Sequence, residues 1–244
     1  MTPRITLATA GRVLRQLRHD RRTIALVLFV PPLLLTLFKY VFYGQEATFN
    51  RIGPPLVGLF PFVSMFLVTS IAMLRERTTG TLERLMSLPL AKLDILLGYG
   101  LAFTLLAIVQ ATLTSIVAFG LLGLETAGPV WLIVALAAGN ALLGMALGLF
   151  LSAFAQTEFQ AVQFMPAFVL PQILLCGLLV PRDKMAQLLE WISDFLPLTY
   201  AYEALALATA DDLDTELAVD ALVVAGCIVL ALVLGATTLR RRTA

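Results

Sequence analysis

The chain has 244 residues, of which 59% are apolar and 14% are charged, and its formal net charge is +1. Soluble domains are about 45–50% apolar and about 25% charged, so this composition excludes an ordinary soluble domain. The single histidine and two cysteines argue against imidazole catalysis and multi-histidine metal sites, and no nucleic-acid partner is expected.

Residues 4–22 segregate into two arcs at helical spacing. Apolar side chains from Leu7 to Leu17 share one arc, and arginines from Arg4 to Arg22 share the opposite one. This pattern predicts a basic amphipathic helix lying in the cytoplasmic headgroup layer. An irregular, positively charged flank is the alternative.

Six apolar blocks are long enough to cross a bilayer, since a membrane helix needs about 17–25 residues. They are residues 23–43, 55–74, 95–122, 129–154, 159–180 and 221–239. The last five contain no charged residue, and the first contains only Lys39. Helices are expected because lipid offers no partner to unpaired backbone groups and the alternation of barrel strands is missing. The sequence therefore predicts an all-α integral membrane protein with six transmembrane helices in a single domain, 1–244.

Lysine and arginine are distributed unevenly between the two sides of these spans. Apart from Lys39, Arg51, Arg182 and Lys184, every basic residue precedes the first span, joins the second to the third, or follows the sixth. Cytoplasmic segments carry such an excess of basic residues. Both termini are therefore predicted to be cytoplasmic.

The loop between the second and third spans contains a predicted short helix. Gly80 can end the preceding helix, Glu83 suits the first turn of a new one, and Pro89 stops it. Apolar residues between them recur at helical spacing. Residues 76–89 are therefore predicted to form an amphipathic helix at the inner membrane face, although a polar connector is the alternative.

The region around the fifth span is rich in proline. Pro166 and Pro171 are expected to kink the span, because each removes a helix hydrogen bond. Residues 182–202 are apolar but interrupted by charges and by Pro197, which predicts a broken pair of short helices on the outer side. Pro181, Pro197 and Tyr200 are candidate residues of an outer gate.

The spans contain few groups that carry chemistry. No phosphate-binding loop occurs, so ATP binding by this chain is not expected. No acidic residue lies within the core of a span, whereas proton- and sodium-coupled carriers need such groups. Candidate residues of a substrate path are Lys39, Ser64, Thr69 and Gln172. Gly144 and Gly148 have the spacing that allows helices to approach closely.

Three motifs together resemble a known family. The segment from Arg75 to Pro89, which reads RERTTGTLERLMSLP, is similar to the cytoplasmic signature of ABC-2 type transporter permeases. Residues 196–200 resemble the family's Pro-Leu-Thr-Tyr segment. Residues 176–181 resemble the end of its fifth span, with Cys176 in place of the usual serine. The order of elements is also similar, and the chain looks most like short drug-efflux permeases of the daunorubicin-resistance type.

The resemblance implies a fold like that of type V ABC exporters. It comprises an N-terminal elbow helix (4–22), six spans, a cytoplasmic coupling helix (76–89) and outer re-entrant helices (182–202). By match to the motif, six residues are expected to take part in coupling to an ATPase: Glu76, Arg77, Gly80, Thr81, Glu83 and Arg84.

The resemblance also implies an assembly and a location. Two ABC ATP-binding subunits would carry ATP and Mg²⁺, and a second copy of this permease, as in a homodimer, or a related permease would complete the unit. This chain would itself be no enzyme and bind no cofactor. The expected location is the bacterial cell membrane, and the expected cargo is hydrophobic drugs or lipid-like molecules. Alternatives are a polysaccharide or glycolipid exporter, a stand-alone secondary carrier, and an immunity membrane protein.

Overall fold

A computed structural model describes residues 3–81, 84 and 92–238, and this part of the chain is helical without strands. The α-helices are α1 (Pro3–His19), α2 (Arg21–Val41), α3 (Glu46–Thr78), α4 (Lys92–Ser115), α5 (Val130–Leu151), α6 (Glu158–Phe164), α7 (Leu170–Leu175), α8 (Gln187–Ser193), α9 (Pro197–Ala210) and α10 (Thr215–Thr238). The all-helical prediction is confirmed for these residues.

Five helical stretches of the described chain are long and apolar enough to cross a membrane. They are Arg21–Val41, Glu46–Thr78, Asp94–Leu121, Val130–Phe154 and Thr215–Thr238. They coincide with the predicted first, second, third, fourth and sixth spans. The chain is therefore a multi-pass membrane protein.

The predicted fifth span, 159–180, is a broken helix. A π-helix, Met165–Val169, separates α6 from α7, and the helical stretch ends at Leu175. Pro166 lies within the π-helix and Pro171 at the start of α7, and neither can donate a backbone hydrogen bond. The helix is therefore interrupted near these prolines, while the kink itself and a sixth full crossing stay predictions.

Helix α3 is longer than the predicted span of 55–74. It begins at Glu46, includes Pro54 and Pro55, and continues to Thr78. At 1.5 Å per residue its 33 residues measure about 50 Å, against a hydrocarbon core of about 30 Å. One continuous helix therefore runs from the motif-bearing loop to the opposite end of the bundle.

Helices α3 and α5 form the centre of the bundle, with α4 and α10 packed on α5 and α2 packed on α3. The contact is close because α5 has no side chains at Gly144 and Gly148. A Cβ atom at Gly144 would lie 2.2 Å from the carbonyl oxygen of Phe62, and one at Gly148 would lie 2.5 Å from that of Phe66. The two glycines thus allow the close approach of α3 and α5 that their spacing predicted.

Helix α1 packs on α4 through Ala10 and Val13, which are both buried. It ends at His19 because Asp20 caps the next helix, accepting hydrogen bonds from the backbone nitrogen and the hydroxyl of Thr23 at 3.1 and 2.6 Å. A helix over most of 4–22 is therefore present. Its position in the headgroup layer stays a prediction.

Candidate coupling and transport sites

Helices α1, α3 and α4 meet in a charged cluster at the end of the bundle that is predicted to face the cytoplasm. This end is called the basic end of the bundle below. Arg12 of α1 donates a hydrogen bond to the hydroxyl of Tyr99 of α4, and its Nη2 lies 3.5 Å from Oε2 of Glu76 of α3. The side chain of Glu76 is 5% exposed, whereas that of Arg12 is 32% exposed. A largely buried ion pair therefore joins α1 to the end of α3 that precedes Gly80.

This ion pair departs from the pattern expected for α1. Helical spacing placed Arg12 on the solvent-facing arc, yet its guanidinium lies 5.5 Å from the centre of the Tyr99 ring. Glu76, an expected ATPase-coupling residue, has its partner within the chain. A direct contact between Glu76 and an ATPase stays a prediction.

A second ion pair joins α3 to α6 at the same end. Arg75 donates to both carboxylate oxygens of Glu158, at 2.7 and 3.1 Å. The hydrogen bond from Arg75 lowers the pKa of Glu158, and the hydrogen bonds from Thr23 lower the pKa of nearby Asp20. Both carboxylates are thus held in the charged form around the end of α3.

The remaining coupling residues follow this cluster. Gly80 has a φ of +73°, in the left-handed region where a side chain is unfavourable, and it terminates α3 as predicted. The hydroxyl of Thr81 lies 3.1 Å from that of Thr79. The backbone nitrogen of Arg84 donates to the carbonyl of Gly80 at 3.1 Å. Glu83 and half of the predicted helix 76–89 lie outside the described residues.

A groove of about 770 Å³ starts at the basic end. At that end it is lined by Asp20, Arg75 and Glu76, and from there it follows α2 and α3 toward Phe38 and Leu178. Its walls are otherwise mainly aliphatic and aromatic. The volume lies within the range of about 300–1,000 Å³ typical of small-molecule sites.

Of the four candidate path residues, Ser64 alone lines this groove. The hydroxyl of Thr69 bridges α3 and α5, lying 2.7 Å from the carbonyl of Met65 and 3.2 Å from that of Met145. Gln172 joins α7 to α9 by accepting a hydrogen bond from the backbone of Leu198 at 3.4 Å.

Lys39 lies away from the groove, near the other end of the bundle. Its ammonium group donates to the carbonyl of Leu122 and lies 5.3 Å from the centre of the Phe49 ring. Its ammonium group is therefore held by protein partners, and a position at the membrane interface stays a prediction.

Gln110 of α4 binds both walls of the groove. Its Nε2 donates to the carbonyl oxygen of Val27 in α2 at 2.7 Å and to the hydroxyl oxygen of Ser64 in α3 at 2.8 Å. The sequence showed Gln110 only as one of several polar residues in the spans. The informative signal was Pro31, four residues after Val27, because proline leaves that carbonyl without its helical donor.

The predicted outer segment contains two helices, as expected, although the second extends to Ala210. They are joined by Arg182, which pairs with Asp194 and with Glu203 (2.6 Å) and donates to Ser193 at 3.0 Å. Tyr200 donates to the carbonyl of Asp194 at 2.8 Å. Re-entry of these helices into the membrane, and a gate at Pro181, Pro197 and Tyr200, stay predictions.

Two residues of this end were not among the sequence candidates. Arg182 was recognised only as part of a charged triplet. Asp220, in the first turns of α10, is 5% exposed, and its Oδ2 has no hydrogen-bond partner among the described residues. The predicted span began one residue later, so Asp220 was counted as part of a loop.

Comparison with known proteins gives a consistent result. The family described as "ABC-2 type transporter" matches residues 5–208. The chain is similar to ABC transporter G family member 20 of Dictyostelium discoideum, with 27% identity over 154 residues that cover 63% of this chain and 21% of that protein.

Two relatives come from Escherichia coli K12. The probable multidrug ABC transporter permease YbhR is 30% identical over 145 residues, covering 57% of this chain and 39% of YbhR. Its counterpart YbhS is 25% identical over 193 residues, covering 78% of this chain and 51% of YbhS. The matches thus span between 21% and 51% of these three relatives.

Proposed function

Because this chain belongs to the ABC-2 type transporter family, we propose that it is the permease of an exporter that moves hydrophobic drugs or lipid-like molecules out of the cytoplasm. Two separate ATP-binding subunits hold ATP and Mg²⁺ and hydrolyse the nucleotide, so this chain is not itself an enzyme. A second copy of the permease completes the transport unit.

The basic end of the bundle faces the cytoplasm of a bacterial cell in this proposal, and both termini lie on that side. Arg12 and Arg75 form ion pairs there, and the positive-inside bias supports this orientation. The ATP-binding subunits then dock beside Gly80, and the outer helices α8 and α9 lie at the opposite end.

The continuous helix α3 is the observation that carries the proposal. It begins near the opposite end of the bundle, lines the groove from Leu56 to Glu76, and ends at the coupling signature. A push that reaches Thr78 through the turn at Gly80 therefore acts on the wall of the cavity along one unbroken helix. The mainly apolar walls of this cavity suit a hydrophobic cargo better than a sugar.

The proposal is tested by purifying the chain with the ATPase encoded beside it and measuring ATP hydrolysis and export in proteoliposomes. We expect a stable complex, ATPase activity that depends on the permease, and loss of both activities in the double variant Gly80→Pro with Glu83→Lys. Unchanged export in that variant would contradict the proposed coupling.

A matched control variant lies at the opposite end. Gly123 also has a positive φ, of +64°, and Glu125 follows it in the loop before α5. Gly123→Pro with Glu125→Lys introduces the same substitutions and comparable backbone strain far from the ATPase. We expect it to keep permease-dependent ATP hydrolysis, which separates coupling from general damage to the fold.

A second candidate function rests on Asp220. A buried carboxylate in a membrane helix is a group that proton-coupled carriers use, and it favours a stand-alone secondary carrier. That reading predicts export that persists without any ATPase, stops when the proton gradient is collapsed, and is lost in Asp220→Asn. Export that requires ATP and tolerates Asp220→Asn would exclude it.

A further inference from the structure

The hydrogen bonds of Gln110 determine whether the hydroxyl of Ser64 can donate a hydrogen bond into the groove. Pro31 has no N–H, so the carbonyl of Val27 lacks its helical donor, and the amide of Gln110 supplies a donor at 2.7 Å. Because a carbonyl only accepts, the amide nitrogen of Gln110 must face α2. Its second hydrogen is directed to the hydroxyl oxygen of Ser64 at 2.8 Å.

The hydroxyl of Ser64 accepts in this arrangement, so its own hydrogen is available to another group. Several other hydroxyls in the spans donate to a carbonyl four residues earlier in the same helix, as Thr114 does at 2.9 Å and Ser115 at 2.8 Å. Ser64 makes no such bond. Its side chain lines the groove, which places an unused donor on an otherwise apolar wall.

We propose that Ser64 is a specificity-determining residue, which makes the groove select apolar molecules that carry an oxygen acceptor, such as a ketone, ester or ether. Gln110 is the positioning residue that keeps the donor free. The inference rests on the proposed function for its role in export, but ligand binding is measurable without an ATPase. It narrows the cargo from hydrophobic compounds in general to those with an acceptor oxygen.

A small ligand with an acceptor oxygen fits this wall better than an acyl chain or a second copy of the chain. An acyl chain or an apolar helix face of a second copy would cover the hydroxyl without accepting its hydrogen. Burying a polar group without a partner is unfavourable. A ketone oxygen accepts the hydrogen and leaves hydrocarbon against the neighbouring walls at Val30, Val63 and Leu67.

The test uses the full chain in phosphatidylcholine nanodiscs without an ATPase. Benzophenone, an apolar ketone that photolabels its surroundings, serves as the probe, and mass spectrometry locates the labelled peptide. Fluorenone and fluorene compete for labelling, since they share a three-ring shape and differ in the ketone. We expect labelling of the α3 peptide around Ser64, and about fivefold stronger competition by fluorenone, the ratio that one neutral hydrogen bond provides.

Variants assign the preference to the two residues. In Ser64→Ala and in Gln110→Leu, fluorenone should compete only as well as fluorene. Fluorene itself should compete as in the wild type, which shows that the groove is intact. Ser115→Ala is the matched control, because its hydroxyl is satisfied within its own helix, and it should keep the fivefold preference.

Three results would overturn the inference. Equal competition by fluorenone and fluorene in the wild type would mean that an acyl chain or any hydrocarbon occupies the groove. A preference that survives Ser64→Ala would place the donor elsewhere. Labelling that is lost in a cross-linked dimer and kept in the monomer would mean that a second copy covers the groove. None of these results depends on ATP hydrolysis, so failure of this inference is distinguishable from failure of the proposed exporter.

Discussion

Breaking the ion pair between Arg12 and Glu76 should have unequal effects, depending on which partner is removed. Arg12→Met leaves the carboxylate of Glu76 without its cation at 5% exposure. Removing one partner of a buried pair costs about 3–5 kcal/mol, and we expect about 3 kcal/mol because the pair is not fully enclosed. Glu76→Gln leaves Arg12, which water reaches at 32% exposure, and should cost only about 1 kcal/mol.

The double variant provides the decisive comparison. Adding Glu76→Gln to Arg12→Met removes the stranded carboxylate, so the double variant should be more stable than Arg12→Met alone. The interaction energy from the cycle should be about 2 kcal/mol. Arg15→Met is the control, because Arg15 is exposed and bonds only to its own helix; it should change stability by less than about 0.5 kcal/mol.

Thermal unfolding in detergent, followed by tryptophan fluorescence, measures these differences. For a chain of this size about 1 kcal/mol corresponds to about 2–4 °C in Tm. Arg12→Met should therefore lower Tm by about 6–12 °C and Glu76→Gln by about 2–4 °C. A larger loss in Glu76→Gln than in Arg12→Met, or strictly additive effects in the double variant, would refute the reasoning.

Three further variants test the central crossing and the cytoplasm-predicted end. Gly144→Ala should lower stability by about 1–3 kcal/mol, since its Cβ would lie 2.2 Å from a carbonyl oxygen, whereas Gly139→Ala meets nothing within 4 Å and should leave Tm unchanged. Glu158→Gln should cost at most about 1 kcal/mol, because its pair with Arg75 is half exposed. The pKa of Glu158 is lowered, so its pair with Arg75 stabilises the folded protein at pH values above the usual glutamate pKa. This stabilisation is lost as the pH falls through the lowered pKa. The Tm values of Glu158→Gln and of the wild type, plotted against pH, should therefore converge in acid. Gly80→Ala should cost about 1 kcal/mol because of the positive φ, and a Tm equal to that of wild type would contradict that assignment.

The spans were predictable because length and apolar composition are local properties of the chain. Asp94–Leu121 and Val130–Phe154 agree within a few residues with the predicted 95–122 and 129–154. The fifth block passed the same test of composition, but its prolines interrupt the helix. The apolar block 55–74 underestimates α3, because the helix continues through polar residues at both ends, from Glu46 to Thr78.

The sites were less predictable because rotation about a helix axis and distant contacts are not local. Ser64 and Thr69 lie on the same helix with similar polarity, yet one lines the groove and the other faces α5. Arg12 and Glu76 are 64 positions apart, and their pairing depends on how α1 packs on α4. The sequence identified the signature motif that begins at Arg75, whereas the tertiary structure determines which of its described residues are buried.

The central position of α3 and α5 has a consequence for biosynthesis. In the most apolar stretch of α3, 61% of the residues are buried within the protein. In the most apolar stretch of α10, only 17% of the residues are buried. Helices emerge from the ribosome in chain order, and at about 5–20 residues per second the interval between completing α3 at Thr78 and α5 at Leu151 lasts roughly 4–15 s. During that time α3 lacks its main partner, and the hydroxyl of Thr69 lacks the carbonyl of Met145 that lies 3.2 Å from it in the folded protein. Helix α10 follows α5 in the chain, so its main partner is already made when it is synthesised.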